Sequence, residues 1–179
     1  MPVQLETERL ALRLPQLDDA EAMLDFFGNA EVMRPIGSEP GGIDLAVEHL
    51  VRWIGRWQAD DQGQFIVVRK DDGRVLGRVG SLIWNARTWE TSTFAGAGAD
   101  AQVELGWAIG REHWGSGYAT EAARTVREWL YDDRGVERLI SLISPENTRS
   151  ARVAAKLGAT PAETVQAHDG PATIWVHPR

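Results

Sequence analysis

Cysteine is missing from this chain of 179 residues. Disulfides, thiolate metal sites and a cysteine nucleophile are therefore excluded. No apolar run reaches the length of a membrane span, and the first 13 residues lack the basic start and apolar centre of a secretory signal. These absences make the cytoplasm the default location and exclude a membrane partner. Positive charge is not in excess either. The net charge of −7 argues against general nucleic-acid binding, although a local basic patch is allowed. The four histidines follow no ligand pattern, so no metal is expected. No repeat, linker or low-complexity tract divides the chain, which reads as one domain over residues 1–179. That length buries roughly 70% of the unfolded surface.

What is present is ordinary in bulk, with 43% hydrophobic and 25% charged residues. Eight tryptophans are many for one small domain. Most read as core, and Trp84 with Trp89 is the pair best suited to wall a substrate cleft.

Residues 9–14 alternate polar and apolar, marking a half-buried strand. Asp18 and Glu21 have capping-box spacing and open a helix whose apolar face is Leu17, Ala20, Met23, Leu24 and Phe27. A loop over 37–42 leads to a second helix, closed at 60–63, with Ile43, Ala46, Val47, Leu50, Ile54 and Trp57 at helical spacing. Residues 64–69 and 74–84 read as a hairpin turning at Asp71, Asp72 and Gly73. A long polar connection over 85–100 is either functional or mobile. Strand 101–109, helix 117–133, strand 138–144 and helix 147–157 follow, and the tail makes two more strands around Asp169 and Gly170. The unit over 101–144 is expected to be a right-handed parallel crossover, with its glycine turn at the carboxyl end of the first strand. Ligand clefts lie at that edge.

The glycine turn, Trp114-Gly115-Ser116-Gly117-Tyr118-Ala119-Thr120, runs into a helix start. Unpaired N–H groups and the positive dipole end there suit a phosphate, and the glycines let a ligand approach the main chain. A nucleotide P-loop needs Lys then Ser or Thr where Tyr118 and Ala119 stand. A dinucleotide fingerprint needs a third glycine and a later acid, both missing. A backbone cradle for a pyrophosphate, without lysine, remains.

Three segments resemble the GNAT acetyltransferases, and within them the branch of the RimJ/RimL ribosomal-protein N-terminal acetyltransferases. They are Glu6-Thr7-Glu8-Arg9-Leu10-Ala11-Leu12-Arg13 with Asp18-Asp19-Ala20, then Glu104-Leu105-Gly106-Trp107 leading to the glycine turn, and Asn147-Thr148-Arg149-Ser150 closed by Lys156-Leu157-Gly158-Ala159. They occur in the family's order and span nearly the whole length. The resemblance implies an α/β protein with a mixed sheet (α+β) and the acyl-CoA N-acyltransferase fold, in the order β-α-α-β-β-β-α-β-α-β-β. It implies acetyl-CoA as donor and an amine as acceptor, either a small molecule or a protein N-terminus. Oligomeric state stays open, with a homodimer the state that the resemblance favours.

By that resemblance the pyrophosphate meets the main chain of Gly115, Ser116, Gly117, Tyr118, Ala119 and Thr120. The pantetheine arm then pairs with Trp107, Ala108 and Ile109, as an added strand pairs. Trp114 stands where the family usually has Gln or Arg, so one side-chain contact to phosphate is expected to be missing. Arg111, Arg149 and Arg152 are candidates to reach the phosphates, with plain surface charge as the alternative. His113 is read as covering the helix entrance.

Acetyl transfer needs a neutral amine, a polarised thioester carbonyl and a proton for the departing thiolate. Glu104, in a mostly apolar strand, is the candidate base, with an arginine-paired structural carboxylate as the alternative. A backbone N–H near Ala108 is the candidate oxyanion donor. Many GNAT enzymes use a tyrosine seven residues after the asparagine, where this chain has Ala154; the RimJ/RimL branch implies Ser150 instead. Asn147 and Ser150 also read as cap and first-turn residues of their helix. The competing function is a CoA-binding sensor without turnover, favoured by Ala154. The acidic balance suits a cationic acceptor slightly.

Overall fold

The computed structural model describes residues 4–167 and 170–179. The chain opens with the hairpin β1 (Gln4–Glu6) and β2 (Leu10–Arg13), in which Leu10 and Leu12 are fully buried. Where one amphipathic helix is expected next, two single turns stand, α1 (Asp19–Ala22) and α2 (Leu24–Phe27), broken at Met23. Asp18 makes no side-chain cap. Asp19 takes that work one residue later, accepting from the Gln16 N–H and from both Arg13 guanidinium nitrogens. The break leaves Leu17 and Leu24 exposed while Ala20, Met23, Phe26 and Phe27 are buried.

Asn29 then caps α3 (Ala30–Met33), which runs into a 3-10 turn, Arg34–Ile36. Neither is predicted, because a single turn is too short to show a period. α4 (Ile43–Asp60) keeps its expected bounds, and Asp61 ends it in the left-handed conformation at φ 52°. Ala46, Leu50 and Trp53 are its buried stripe, whereas Ile43 and Val47 face outward.

β3 (Gln64–Arg69) and β4 (Val75–Asn85) form the predicted hairpin. The 85–100 connection is not a structureless loop. It returns as β5 (Glu90–Ser92) on the end of β4, and Thr93 caps the short α5 (Phe94–Ala97). Next come β6 (Ala101–Ile109), α6 (Tyr118–Asp132), β7 (Leu139–Ile143), α7 (Thr148–Lys156), β8 (Thr160–Ala167) and β9 (Gly170–Val176). Gly170 begins β9, while Asp169 lies outside the described residues.

The strands make one sheet in the order β1-β2-β3-β4-β6-β7-β9-β8, with β5 beside β4. β6 and β7 pair in parallel and every other pair is antiparallel. This is the mixed α/β fold that the resemblance implies. Alternation assigns each strand's side chains to two faces. Phe65, Val67, Val79, Leu105 and Trp107 pack under α6, whose Ala122, Val126, Trp129 and Leu130 are buried there. Ile66 and Ala108 point the other way, under Phe27 and the buried stripe of α4.

Two of the recognisable sequence segments meet in space. Glu121, in the first turn of α6, accepts from the Thr7 hydroxyl, the Arg9 N–H and the Arg9 guanidinium. Arg9 also lies over the Tyr118 ring at 4.5 Å. The entry hairpin thereby anchors the helix start that the glycine turn feeds.

Candidate active site

β6 and β7 are neighbours only at Val103–Leu139 and Glu104–Ile140. Beyond that they part, and side chains take over. The Ser141 hydroxyl donates to the Leu105 carbonyl at 2.6 Å, and the Leu142 N–H donates to Glu104 Oε1 at 3.2 Å. Further along, β6 has an open edge. The Gly110 N–H goes to Leu76 of β4, so even-numbered residues of β6 address β4, and odd-numbered residues address the gap. Trp107 thus directs its N–H and carbonyl into the gap. The Ile109 carbonyl, on the same edge, accepts from Trp114 Nε1 at 2.7 Å. The main-chain groups of Ala108 face β4 opposite Arg78, so of the N–H groups near Ala108 it is that of Trp107 that addresses the gap.

At the end of this gap the glycine turn enters α6. Gly115 and Gly117 have φ of 79° and 83°, in the left-handed region that an L side chain rarely adopts. A Cβ on Gly115 would meet nothing within 4 Å, so conformation rather than space demands glycine there. The helix start and gap enclose a cavity of about 300 Å³, lined by Trp107, Ala108, Ile109, Trp114, Gly115, Gly117, Tyr118, Ala119, Thr120, Asn147 and Arg152, with His113 at its edge. Ser116 lies in the turn but not in this lining.

Trp114 has a defined job in this arrangement. Besides holding the Ile109 carbonyl, its ring carries Arg149 at 4.1 Å and Arg111 at 4.8 Å, both cation–π contacts. Arg149, Arg152 and Lys156, spaced three and four apart, bring α7's positive charge to the same cavity. Both stacked arginines also pair with Glu31 Oε2, at 3.2 Å from Arg111 and 3.9 Å from Arg149.

A larger cavity of about 1190 Å³ opens on the α4 side of the sheet. Pro35, Ile36, Trp107, Asn147, Arg149 and Ser150 line both spaces, so the two meet there. Glu104 lies in the large cavity and is buried, 7% exposed. Its Oε2 accepts from Trp84 Nε1 at 2.6 Å. Burial raises its pKa, while the Trp84 and Leu142 donors and the charge of Arg78 pull in the opposite direction. Among the described residues Glu104 has no direct salt bridge, so the arginine of the alternative reading is Arg78, which acts on it through space.

An open strand edge that leads to a glycine turn at a helix start, with a buried carboxylate earlier on the same strand, suits a long phosphorylated thioester. The sequence matches the family model for the acetyltransferase (GNAT) domain over residues 9–160. The chain belongs to the GNAT acetyltransferase family. It is 26% identical over 150 residues to the uncharacterized N-acetyltransferase p20 of Bacillus licheniformis, covering 83% of this chain and 78% of that one. An acetyltransferase from Agrobacterium tumefaciens str. C58 superposes with a TM-score of 0.80 at 25% identity, over 100% of this chain and 96% of its own. The fold is shared too by aminoglycoside acetyltransferase AAC(6')-Ib, solved with ribostamycin and coenzyme A, with a TM-score of 0.75 at 20% identity, over 96% and 94% of the two chains. The protein is thus an N-acetyltransferase with acetyl-CoA as donor.

Within this acetyltransferase, both tyrosines are accounted for. Tyr131 is buried and donates to the His177 carbonyl at 2.9 Å, and Tyr118 sits at the start of α6. Ala154 is fully buried in the core. No tyrosine lines both cavities, whereas Ser150 does. Asn147 caps α7 by accepting from the Ser150 N–H at 3.1 Å and also donates to the Pro35 carbonyl. Its structural reading as a helix cap is realised, and the side chain also ties α7 to the turn at Pro35.

Of the tryptophan pair expected to wall a cleft, Trp84 lines the large cavity and Trp89 does not. Trp89 turns the β4–β5 hairpin at φ 53°. Trp53 and Phe27 stand in its place. The sequence reading also missed Arg78, Gln64 and His49, which line the same cavity. Burial lowers the His49 pKa to about 4, with Arg52 and Arg78 adding to the effect, so it is neutral at pH 7. Nothing in a single sequence marks these three; only the sheet register gathers them.

Proposed function

We propose that this protein transfers the acetyl group of acetyl-CoA to a primary amine by direct attack, with no covalent intermediate. The acceptor amine is a small molecule or a protein N-terminal α-amine. Glu104, buried in the larger cavity three residues before Trp107, which lines both, is the observation that carries this reading. Its carboxylate takes a proton from the ammonium, and the freed amine attacks the thioester carbonyl. The Trp107 N–H, facing the gap, stabilises the oxyanion as the tetrahedral centre forms. When the C–S bond breaks, Ser150 relays the proton released by the attacking nitrogen to the departing thiolate, leaving a neutral amide, free CoA thiol and an intact serine. The main chain around Gly115 to Thr120, with Arg149 and Arg152, holds the phosphates, and the open edge of β6 holds the pantetheine arm.

Ser150 in place of a tyrosine supports a RimJ/RimL-type assignment within the family, acting as one catalytic domain. Calorimetry with acetyl-CoA, followed by CoA release with an amine panel, tests the reading. Binding with turnover is expected. Absence of acetyl-CoA binding overturns it, and binding without release for any amine supports the sensor alternative that Ala154 suggests.

A further inference from the structure

The larger cavity holds a cation, Arg78, that forms no salt bridge among the described residues. Arg78 projects from β4 on the face of the sheet that carries Glu104 and Gly106. Its Nη1 lies 3.0 Å from where a Cβ on Gly106 would stand, so the absence of a side chain there makes room for the guanidinium. Glu104 and Gly106 are two residues apart on one strand, which places the Arg78 head about 7 Å along β6 from the Glu104 backbone.

Among the described residues, the one acceptor for this guanidinium is Gln64 Oε1, at 3.1 Å, and no carboxylate forms a salt bridge with it. Guanidinium has five N–H donors in a fixed fork, which suits a carboxylate taken in bidentate fashion. A half-buried charge with donors unused is costly unless a ligand completes it. Glu48, Glu90, Glu104 and Glu146 line the same cavity, Glu104 near enough to act on the Arg78 charge, while Arg34 and Arg52 add positive charge there. His49 is neutral, and Arg56, also lining the cavity, is held by the Ser92 carbonyl rather than by an acid. Phe27, Trp53 and Trp84 form apolar wall around the space.

We propose that the acceptor is an amine that carries its own carboxylate, a free amino acid, with Arg78 gripping the carboxylate and Glu104 facing the amine. This rests on the acetyltransferase reading above. A polycation such as an aminoglycoside or polyamine meets repulsion at Arg78, which reverses the slight preference for cations drawn from net charge. A peptide α-amine brings no carboxylate to this position.

The test measures CoA release with the common amino acids, their amides, their decarboxylated amines, spermidine and ribostamycin. At least one amino acid should exceed its own amide and amine in kcat/KM by about 10- to 100-fold, the worth of a charged hydrogen-bonded pair. Arg78→Met and Arg78→Gln should erase that ratio by raising the amino-acid KM, and Arg78→Lys should restore part of it. The acetyl-CoA Kd, measured by calorimetry on each variant, should not move, which also reports folding. The proposal falls if amides or amines match the acids, if spermidine or ribostamycin is preferred, or if no amino acid is acetylated. It falls as well if the Arg78 variants shift only the pH profile, since Arg78 then serves Glu104 alone. Loss of acetyl-CoA binding by the wild-type protein would instead overturn the parent reading.

Discussion

The Trp84 indole N–H donates to Glu104 Oε2 at 2.6 Å, across the β4–β6 ladder and inside the acceptor cavity. The bond favours the charged form of a carboxyl that burial pushes toward neutrality. Glu104 must be ionised to accept a proton, so kcat/KM falls as pH drops through its raised pKa. Trp84→Phe removes a donor to the ionised form and should move this acidic limb to higher pH. Glu104→Gln should abolish the limb and lower the rate on the order of 10²-fold at neutral pH, less at high pH where the amine is free. Profiles of kcat/KM against pH check both. A Glu104→Gln profile that is merely scaled down at every pH would show that Glu104 is not the base.

Ser150 contributes its main-chain N–H, not its hydroxyl, to the α7 cap. Ser150→Ala should therefore leave stability and acetyl-CoA affinity unchanged while kcat falls on the order of 10²-fold. Asn147→Ala, by contrast, removes the cap and should cost about 1 kcal/mol of stability. Denaturant melts beside steady-state kinetics separate the two, and an unaltered kcat in Ser150→Ala would remove Ser150 from the chemistry.

Gly117 precedes α6 at φ 83°, and a Cβ there would lie 3.6 Å from Arg9 Nη2, an ordinary contact. The cost of Gly117→Ala is thus conformational, about 1–2 kcal/mol. The turn should relax toward negative φ and turn its N–H groups away from the phosphates. Calorimetry should show weaker acetyl-CoA binding, with the amine KM little changed.

His177 is buried beside Trp107, with Nε2 at 2.8 Å from the Ser141 hydroxyl. That hydroxyl already donates to Leu105, so His177 donates from Nε2 and remains neutral. Burial lowers its pKa to about 4, against an ordinary 6.5. Between those values the unfolded chain binds the proton and the folded chain does not. The contribution of His177 is complete above pH 6.5 and is lost as pH falls toward 4, on the order of 3 kcal/mol. His49 titrates in the same window. His177→Gln should flatten, without abolishing, the loss of stability between pH 6.5 and 4 in denaturant melts; an unchanged slope would mean that His177 does not carry it.

Long elements were legible in the sequence because their periods are long enough to count. β3, β6 and α4 have the predicted bounds, and α6 and α7 are each one residue shorter at both ends. Short elements were not. α3, β5 and α5 offer three or four residues each, and the first helix is split at Met23, a break that its apolar spacing does not show. Within the site, the glycine turn, Asn147 and Ser150 are local in sequence and could be read as motifs. Glu104 stood out as a lone charge in an apolar strand.

The sequence by itself determined the donor side: a glycine turn whose backbone must adopt positive φ, set between a strand and a helix, is an anion cradle wherever it folds. Local backbone conformation suffices for that. The acceptor side was decided by tertiary structure alone. Arg78, Gln64, His49, Trp53, Trp84 and Glu104 come from α4 and three strands, and they become neighbours only through the antiparallel register of β3, β4 and β6. Tertiary structure also decided which main-chain group faces the gap. Strand alternation points Trp107 outward and Ala108 toward β4, a one-residue difference that depends on where the ladder is paired.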